Sequence, residues 1–323
     1  MRTTAVAHPN IALVKYWGKA DPKRNIPAVG SISITLDTLT TTTSLEFDPD
    51  LDGDRFSLNG KSDSPSLHRV QHCLALFRRR GAEVPHAKVD STNNFPTAAG
   101  LASSASGFAA LVVAVNQAAG SNMARSELAG LARECSGSAA RSLFGGYVEL
   151  ELAEDGERTE TRTILQADQW PLEVVIAVTD VGPKAVGSTE GMALTERTSP
   201  YYRSWVETST TDLAEARAAI AALDFERLAE VSEQSCLKMH AVALAARPGL
   251  LYWNGTTIDC LHQIRELRGR GTPVFFTVDA GPQVKAICEP GVTDRVRHAL
   301  GQIPGVVELL SCGLGEGAAV VDP

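Results

Sequence analysis

Residues 31–36, Ser-Ile-Ser-Ile-Thr-Leu, alternate polar and apolar side chains, the period of two that a half-buried strand requires. Short apolar runs at 5–7 and 11–14, broken by Pro9 and Asn10, predict two further strands. Residues 40–47 are rich in threonine, whose branched Cβ favours a pleated chain. Arg55–Leu58 runs into Asn59-Gly60, a pair that tolerates the positive φ of a tight hairpin. From 66 to 80 the period lengthens, with Leu67, Val70, Leu74 and Phe77 on one helical face. A strand around Ala87–Val89 then leads into the small-residue stretch Asn93–Gly107, NNFPTAAGLASSASG, and a helix from Phe108 to Ala119.

A second helix is predicted over Arg125–Cys135, then a small-residue turn, SGSAARSLFGG, at 136–146, and a strand at Tyr147–Leu152. Leu172–Thr179 is apolar enough to be a central strand. Beyond it the texture changes. Residues 203–246 are nearly all helix formers, which predicts two antiparallel helices meeting near Asp224. A helix at 256–269, a buried-type strand at 274–278, a helix at 291–303 and strands at 306–310 and 318–321 complete the chain. Strands and helices come in segregated runs, which favours α+β over a doubly wound parallel sheet. At 323 residues two domains fit the size, and the seam is expected near 182–190, giving 1–184 and 185–323.

Composition narrows the classes. Hydrophobic residues at 44% and charged residues at 21% supply globular cores. A formal net charge of −8 argues against a nucleic-acid platform, yet leaves room for a local basic pocket. Six scattered cysteines without a CxxC pair form neither a zinc site nor a disulfide framework, so a reducing cytoplasm is expected. No signal peptide is recognisable at the N-terminus, and the longest apolar run, 108–115, is too short for a bilayer, so no membrane association is expected.

A glycine-serine turn feeding a helix aims unpaired N–H groups and the positive dipole end at one point, a ready site for phosphate; a tight packing turn would use the same residues. The stretch lacks the GxxxxGK[ST] pattern, so any lysine must come from elsewhere. Lys15-Tyr16-Trp17-Gly18-Lys19 places two lysines and two aromatics after a strand. Arg141, among serines and glycines, offers a planar fork for a carboxylate or phosphate, while Ser136 and Ser138 fit helix caps equally well. Asp279 ends an apolar strand before Ala-Gly-Pro; it suits an N-cap with Pro282 in the first turn, or a partly desolvated general base. The histidines, including His68 and His72 four apart, show no metal-ligand pattern, and magnesium brought in on nucleotide phosphates needs little protein ligation.

Together, NIALVKYWGK (10–19), NNFPTAAGLASSASG (93–107), SGSAARSLFGG (136–146), GSTEGM with TSPYY (187–192, 198–202) and FFTVDAGPQV (275–284) closely resemble the diphosphomevalonate decarboxylase family. That family lies within the superfamily of galactokinase, homoserine kinase and mevalonate kinase. The resemblance runs from about residue 5 to 320. It implies an α+β, two-domain small-metabolite kinase fold, with an N-terminal domain like ribosomal protein S5 domain 2 and a ferredoxin-like C-terminal domain. The active site would lie in the cleft between them.

The implied reaction uses ATP to phosphorylate the tertiary 3-hydroxyl of (R)-5-diphosphomevalonate, then expels phosphate and carbon dioxide to give isopentenyl diphosphate. By the same resemblance Asp279 would accept the hydroxyl proton and Arg141 would grip the substrate carboxylate. Gly100, Leu101, Ala102, Ser103, Ser104, Ala105 and Ser106 would hold ATP, with Ser104 on its Mg²⁺. Tyr16, Lys19, Ser136, Gly137, Ser138, Ser188 and Thr189 would bind the substrate. Some bacterial members carry arginine where Thr189 stands; here Lys184 or Lys19 would have to supply that charge. Homodimerisation is a further expectation from the resemblance. The rival readings are a mevalonate 3-kinase or 5-phosphomevalonate decarboxylase on the same fold, and a non-catalytic metabolite-binding protein.

Overall fold

The computed structural model describes residues 2–95, 103–153, 155–156, 158–182 and 185–321. The chain opens with β1 (Arg2–Ala7), β2 (Asn10–Val14), β3 (Lys19–Asp21), β4 (Ile26–Pro27), β5 (Ser31–Thr35), β6 (Thr41–Phe47), β7 (Arg55–Leu58) and β8 (Lys61–Ser62). Helix α1 (Ser64–Arg79), β9 (Ala87–Asn93), α2 (Ser103–Ala118) and α3 (Arg125–Cys135) follow, then β10 (Tyr147–Leu152), β11 (Thr159–Leu165) and β12 (Glu173–Val178). Four helices come next: α4 (Ser188–Thr198), α5 (Tyr202–Ala222), α6 (Phe225–Leu244) and α7 (Gly255–Gly269). The chain ends with β13 (Val274–Val278), β14 (Val284–Cys288), α8 (Thr293–Gly301), β15 (Glu308–Cys312) and β16 (Ala319–Val321). The architecture is α+β.

The larger sheet has the order β16-β1-β6-β9-β7-β8, and a second sheet runs β11-β10-β5-β2. Between them lie α1, α2 and α3, whose Leu74, Phe77, Leu111, Val115 and Leu131 form one core with Leu45 and Val89. The alternation along β1 and β6 buries one face of the sheet and leaves the other half exposed. Residues 59 and 60 take φ of 52° and 75° in the β7–β8 hairpin, which is why Asn-Gly stands there. Helix α2 begins at Ser103, five residues before the predicted start, because the serines and alanines of the small-residue stretch enter the helix instead of the turn.

The third sheet, β13-β14-β12-β15, is antiparallel and covered on both faces. Leu261 and Ile264 of α7 and Val296 and Leu300 of α8 pack on one side. The other side meets α5, α6 and the β2–β5 pair in a core that includes Ile11, Ile34, Ile176, Leu213 and Phe275. The two halves therefore share a continuous apolar interior. The turn between α5 and α6 falls where it was expected: Leu223 adopts a left-handed φ of 53° and Asp224 caps α6 by accepting from the Arg227 N–H.

Two features differ from the pattern reading. Strand β12 lies before residue 184 but pairs with β14 and β15, so hydrogen bonding places it with the C-terminal sheet. In return β16 crosses back to pair with β1. Helix α4 and strands β3, β4, β11 and β14 were not foreseen: α4 has too few apolar residues to show a period, β3 and β4 are two or three residues long, β11 is mostly polar, and Lys285 interrupts the apolar run of β14. No described helix is long and apolar enough to cross a membrane.

Candidate active site

A cleft of about 900 Å³ opens between the α1–α3 layer and the C-terminal half. One wall begins where β2 ends. Gly18 turns the chain at φ 104°, and a Cβ there would come within 2.1 Å of the Tyr202 hydroxyl. The turn lets Lys15 and Lys19 reach different parts of the cleft. A second wall is the segment after α3. A Cβ on Gly137 would meet the Tyr16 hydroxyl at 2.3 Å, so the aromatic ring can lie against the backbone only because residue 137 is glycine. The N-terminus of α4 and the turn after β13 complete the enclosure.

Tyr16, Lys19, Ser104, Ser136, Gly137, Ser138, Arg141, Ser188, Thr189 and Asp279 all line this one cleft. The Ser104 and Ser136 hydroxyls stand 3.3 Å apart, so the start of α2 touches the segment after α3. Ser103 is half-buried at the first position of α2. Ala105 and Ser106 are instead fully buried, and the Ser106 hydroxyl lies 2.6 Å from that of Thr41 on β6. Their side chains serve the contact between α2 and the sheet, because helical periodicity turns them away from the face that carries Ser104. Gly100, Leu101, Ala102 and Lys184 lie outside the described residues.

Asp279 is not an N-cap, since the turn at 279–283 leads into β14 and no helix follows. Its Oδ1 accepts from Lys15 Nζ at 2.6 Å, and Lys285 Nζ lies 3.1 Å from Oδ2. Both lysines are 1% exposed, and the carboxylate side chain, 26% exposed, faces the cleft. Burial alone would raise the Asp279 pKa, but the two ammonium groups overcome it and hold the carboxyl well below the usual carboxylate range. The desolvation expected from the sequence is present, but the lysines outweigh it.

Arg141 is 2% exposed and enters the cleft from a single 3₁₀ turn at Arg141–Leu143. Its Nε donates to Ser33 Oγ at 3.0 Å and to Asn10 Oδ1 at 3.2 Å, and its Nη1 donates to Ser31 Oγ at 2.6 Å. These neutral acceptors aim the guanidinium without neutralising it. Burial brings its pKa down to about 10, so the group stays charged at neutral pH. Burial likewise lowers Lys19, Arg69 and Arg133. Among the described residues none of these four cations makes an ion pair with a carboxylate. The Tyr16 hydroxyl, pushed up to about 12 by burial, is enclosed without a hydrogen-bond partner among the described residues. Of the four cations, Lys19 and Arg141 are buried and line the cleft, Arg69 lines it half-buried, and Arg133 lies outside the lining. Uncompensated buried charge is costly, so cations held this way suit an anion, even with Glu134 at the margin of the cleft.

Three contributors escaped sequence reasoning. Lys15 was visible in its string but had no distinguishing signal against Lys19. Lys285 did carry one, a lysine inside a wholly apolar strand. Arg69 on α1 lines the cleft beside His68 and His72, and its Nη2 donates to the Cys135 carbonyl at 3.0 Å. Nothing in the helical pattern around it marks it as different from a solvated arginine.

Beneath Asp279, the His240 Nε2 lies 3.1 Å from the Val278 carbonyl and accepts from Trp253 Nε1 at 3.2 Å. Burial is the main cause that takes its pKa down to about 3. The folded ring stays neutral while the unfolded chain takes up a proton below its ordinary value of about 6.5. Stability from this residue is therefore complete above that value and falls as pH drops toward 3. By pH 5 the loss is expected to be about 2 kcal/mol, read as a falling Tm. His240→Gln should flatten that slope; an unchanged slope in the variant would refute the assignment.

Comparison with known proteins bears on the same residues. Residues 7–161 match the model of the diphosphomevalonate decarboxylase-like N-terminal domain, and residues 174–305 match that of the mevalonate 5-diphosphate decarboxylase C-terminal domain. The chain is 41% identical over 300 residues to a diphosphomevalonate decarboxylase of Eremothecium gossypii, covering 86% of this chain and 75% of the relative. It is 36% identical over 301 residues to the human one, covering 86% and 74%. Among solved structures, mevalonate diphosphate decarboxylase of Staphylococcus aureus superposes with a TM-score of 0.92 at 38% identity, covering 99% of this chain and 98% of that one. The enzyme of Enterococcus faecalis gives 0.91 at 36% identity, covering 100% and 99%. A complex of MDDEF with MVAPP, AMPPCP and magnesium gives 0.92 at 36% identity, with the same coverage.

Proposed function

The chain belongs to the diphosphomevalonate decarboxylase family, and we propose that it converts (R)-5-diphosphomevalonate and ATP to isopentenyl diphosphate, ADP, phosphate and carbon dioxide. The observation that carries this reading is one cleft that holds a lysine-clamped carboxylate together with buried cations lacking acidic partners. That arrangement suits a polyanion that must develop positive charge at one carbon.

A tertiary hydroxyl is a poor leaving group, so its phosphorylation comes first. Asp279 orients the hydroxyl for in-line transfer and accepts its hydrogen bond. With its pKa held low, it takes the proton only as the new O–P bond makes that proton acidic. The same low pKa makes Asp279 release that proton to solvent or a phosphate oxygen before the phosphate departs. Its restored negative charge then stabilises positive character at carbon 3. Arg141 holds the carboxylate so that the breaking C–C bond lies along the emptying orbital. Lys19, Arg69 and the unpartnered Tyr16 hydroxyl receive the diphosphate, with Ser136, Ser138, Ser188 and Thr189 as hydroxyl donors. Lys19 and Arg69 supply the positive charge that position 189 lacks.

The start of α2 receives the ATP phosphates through its backbone N–H groups and Ser104. Ser104 Oγ, facing the cleft beside Ser136, is a suitable hard oxygen ligand for magnesium, which when bound neutralises charge on the transferring phosphates. Six buried free thiols support a reducing, cytoplasmic setting, and the family likeness supports a homodimer.

The test is to supply ATP, magnesium and, separately, mevalonate, its 5-phosphate and its 5-diphosphate, and to follow ADP and carbon dioxide. Both products with the diphosphate alone are expected. ADP without carbon dioxide would indicate a kinase, turnover of the monophosphate would reassign the substrate, and no product from any would leave a binding protein. Arg69→Leu should raise KM for the diphosphate by about tenfold or more while KM for ATP holds. Equal KM values in the variant would remove Arg69 from the diphosphate site.

A further inference from the structure

Every residue of β14 is buried, and four of its five are apolar; the exception is Lys285. Across the sheet its neighbours are Thr277 on β13 and Ile176 on β12, so its side chain leaves the face of the sheet turned toward β2. Thr277 on that face donates to the Ala12 carbonyl at 3.2 Å, and Lys15 donates to the same carbonyl at 2.9 Å. A lone ammonium buried there would be strongly disfavoured, and hydrocarbon of similar size would pack more cheaply. What offsets it is Asp279, whose Oδ2 lies 3.1 Å away.

The carboxylate is thus held from both sides by groups on different elements. Lys15 follows β2 and takes Oδ1; Lys285 sits mid-strand in β14 and takes Oδ2. The other titratable groups in electrostatic reach are Arg141, which is charged, and Cys236 and His240 on α6. Burial keeps the Cys236 thiol protonated and the His240 ring neutral at working pH. No second carboxylate competes for either lysine among the described residues.

Resting on the decarboxylase reading above, we propose that Lys285 is a positioning residue: it holds one oxygen of Asp279 while Lys15 holds the other, fixing the carboxylate plane so that a lone pair faces the substrate hydroxyl. Each carboxylate oxygen has two acceptor sites, so both lysines can stay in place while the cleft-facing site remains open. A single lysine would leave the carboxylate free to rotate about its χ2 bond, and a misplacement of about 1 Å costs on the order of a hundredfold in rate. The second positive charge also keeps Asp279 ionised under conditions where one would not.

The experiment compares kcat, its pH profile and the KM for ATP in wild type, Lys285→Met and Lys285→Gln. With Lys285→Met, kcat should fall by roughly tenfold to a hundredfold, KM for ATP should hold, and the acidic limb of the kcat profile should move to higher pH. Gln keeps a donor without the charge, so it should recover part of kcat yet show the same shift of the limb. In an Asp279→Asn background, Lys285→Met should cost less than about twofold further, because the group it positions is already gone. Wild-type kcat and an unmoved acidic limb in Lys285→Met would overturn the proposal, as would losses that multiply in the double variant. Should Lys285→Met fail to fold by circular dichroism, the Gln variant decides on the same two readouts. The wild type run alongside separates the two readings: if it makes no ADP or carbon dioxide the decarboxylase assignment fails, whereas an active wild type with an indifferent Lys285 removes only the positioning role.

Discussion

Asp279→Asn should abolish nearly all turnover, by about a thousandfold or more in kcat, while ATP still binds. The substitution keeps the shape of the side chain and removes its charge. In transition-state terms that is about 4 kcal/mol or more, which is plausible for a group that both orients the hydroxyl and opposes the developing cation. On the proposed reading ATP binds at the start of α2 and makes no contact that the substitution removes, so its affinity should change little. The variant carries a stability penalty as well, because Lys15 and Lys285 lose the negative charge they share. A lowered Tm with intact circular dichroism is therefore expected. Lost rate with a retained fold and retained nucleotide titration would establish the role; turnover within tenfold of wild type would end it.

Arg141→Met comes second, and its sign in stability is the opposite. Among the described residues Arg141 hydrogen-bonds to Asn10, Ser31 and Ser33 and makes no ion pair with a carboxylate, Asp279 acting on it only at longer range. Removing it from the ligand-free protein strands no opposite charge, and the two serines and the asparagine can hydrogen-bond among themselves. Tm should hold or rise, as happens where a functional site stores unfavourable charge. Activity should fall by about a thousandfold in kcat/KM for the diphosphate, because the guanidinium proposed to clamp the substrate carboxylate is gone. A fall in Tm of several degrees, or activity near wild type, would contradict this account.

Much of the site was legible because each part is a local string. Gly18, Gly137, the serine pair at 136 and 138, Arg141 and Asp279 stand beside small residues, and small residues mark places where backbone or ligand comes close. The misreadings share one cause. Ser106 looked equivalent to Ser104, yet two residues along a helix is more than half a turn, which sends one hydroxyl to the cleft and the other to Thr41. Desolvation of Asp279 was inferred correctly from the apolar strand before it, but the sign of its pKa shift depends on two lysines distant in sequence. Strand β12 reads as central and is central; its membership of the C-terminal sheet depends on pairing that no local pattern encodes.

By itself the sequence determined the α+β class, the order of most elements, the family resemblance and most of the residues that line the cleft, because these rest on local periodicity and on short strings that chemistry constrains. Only the tertiary structure decided the charge state of the site. Lys15 follows β2, Asp279 lies in the turn after β13 and Lys285 lies within β14, and their joint effect exists only once those elements pack. The same holds for Lys19, Arg69 and Arg141, which line the cleft and make no carboxylate ion pair among the described residues. Electrostatic energy depends on distances and burial in three dimensions, and neither is written in residue order.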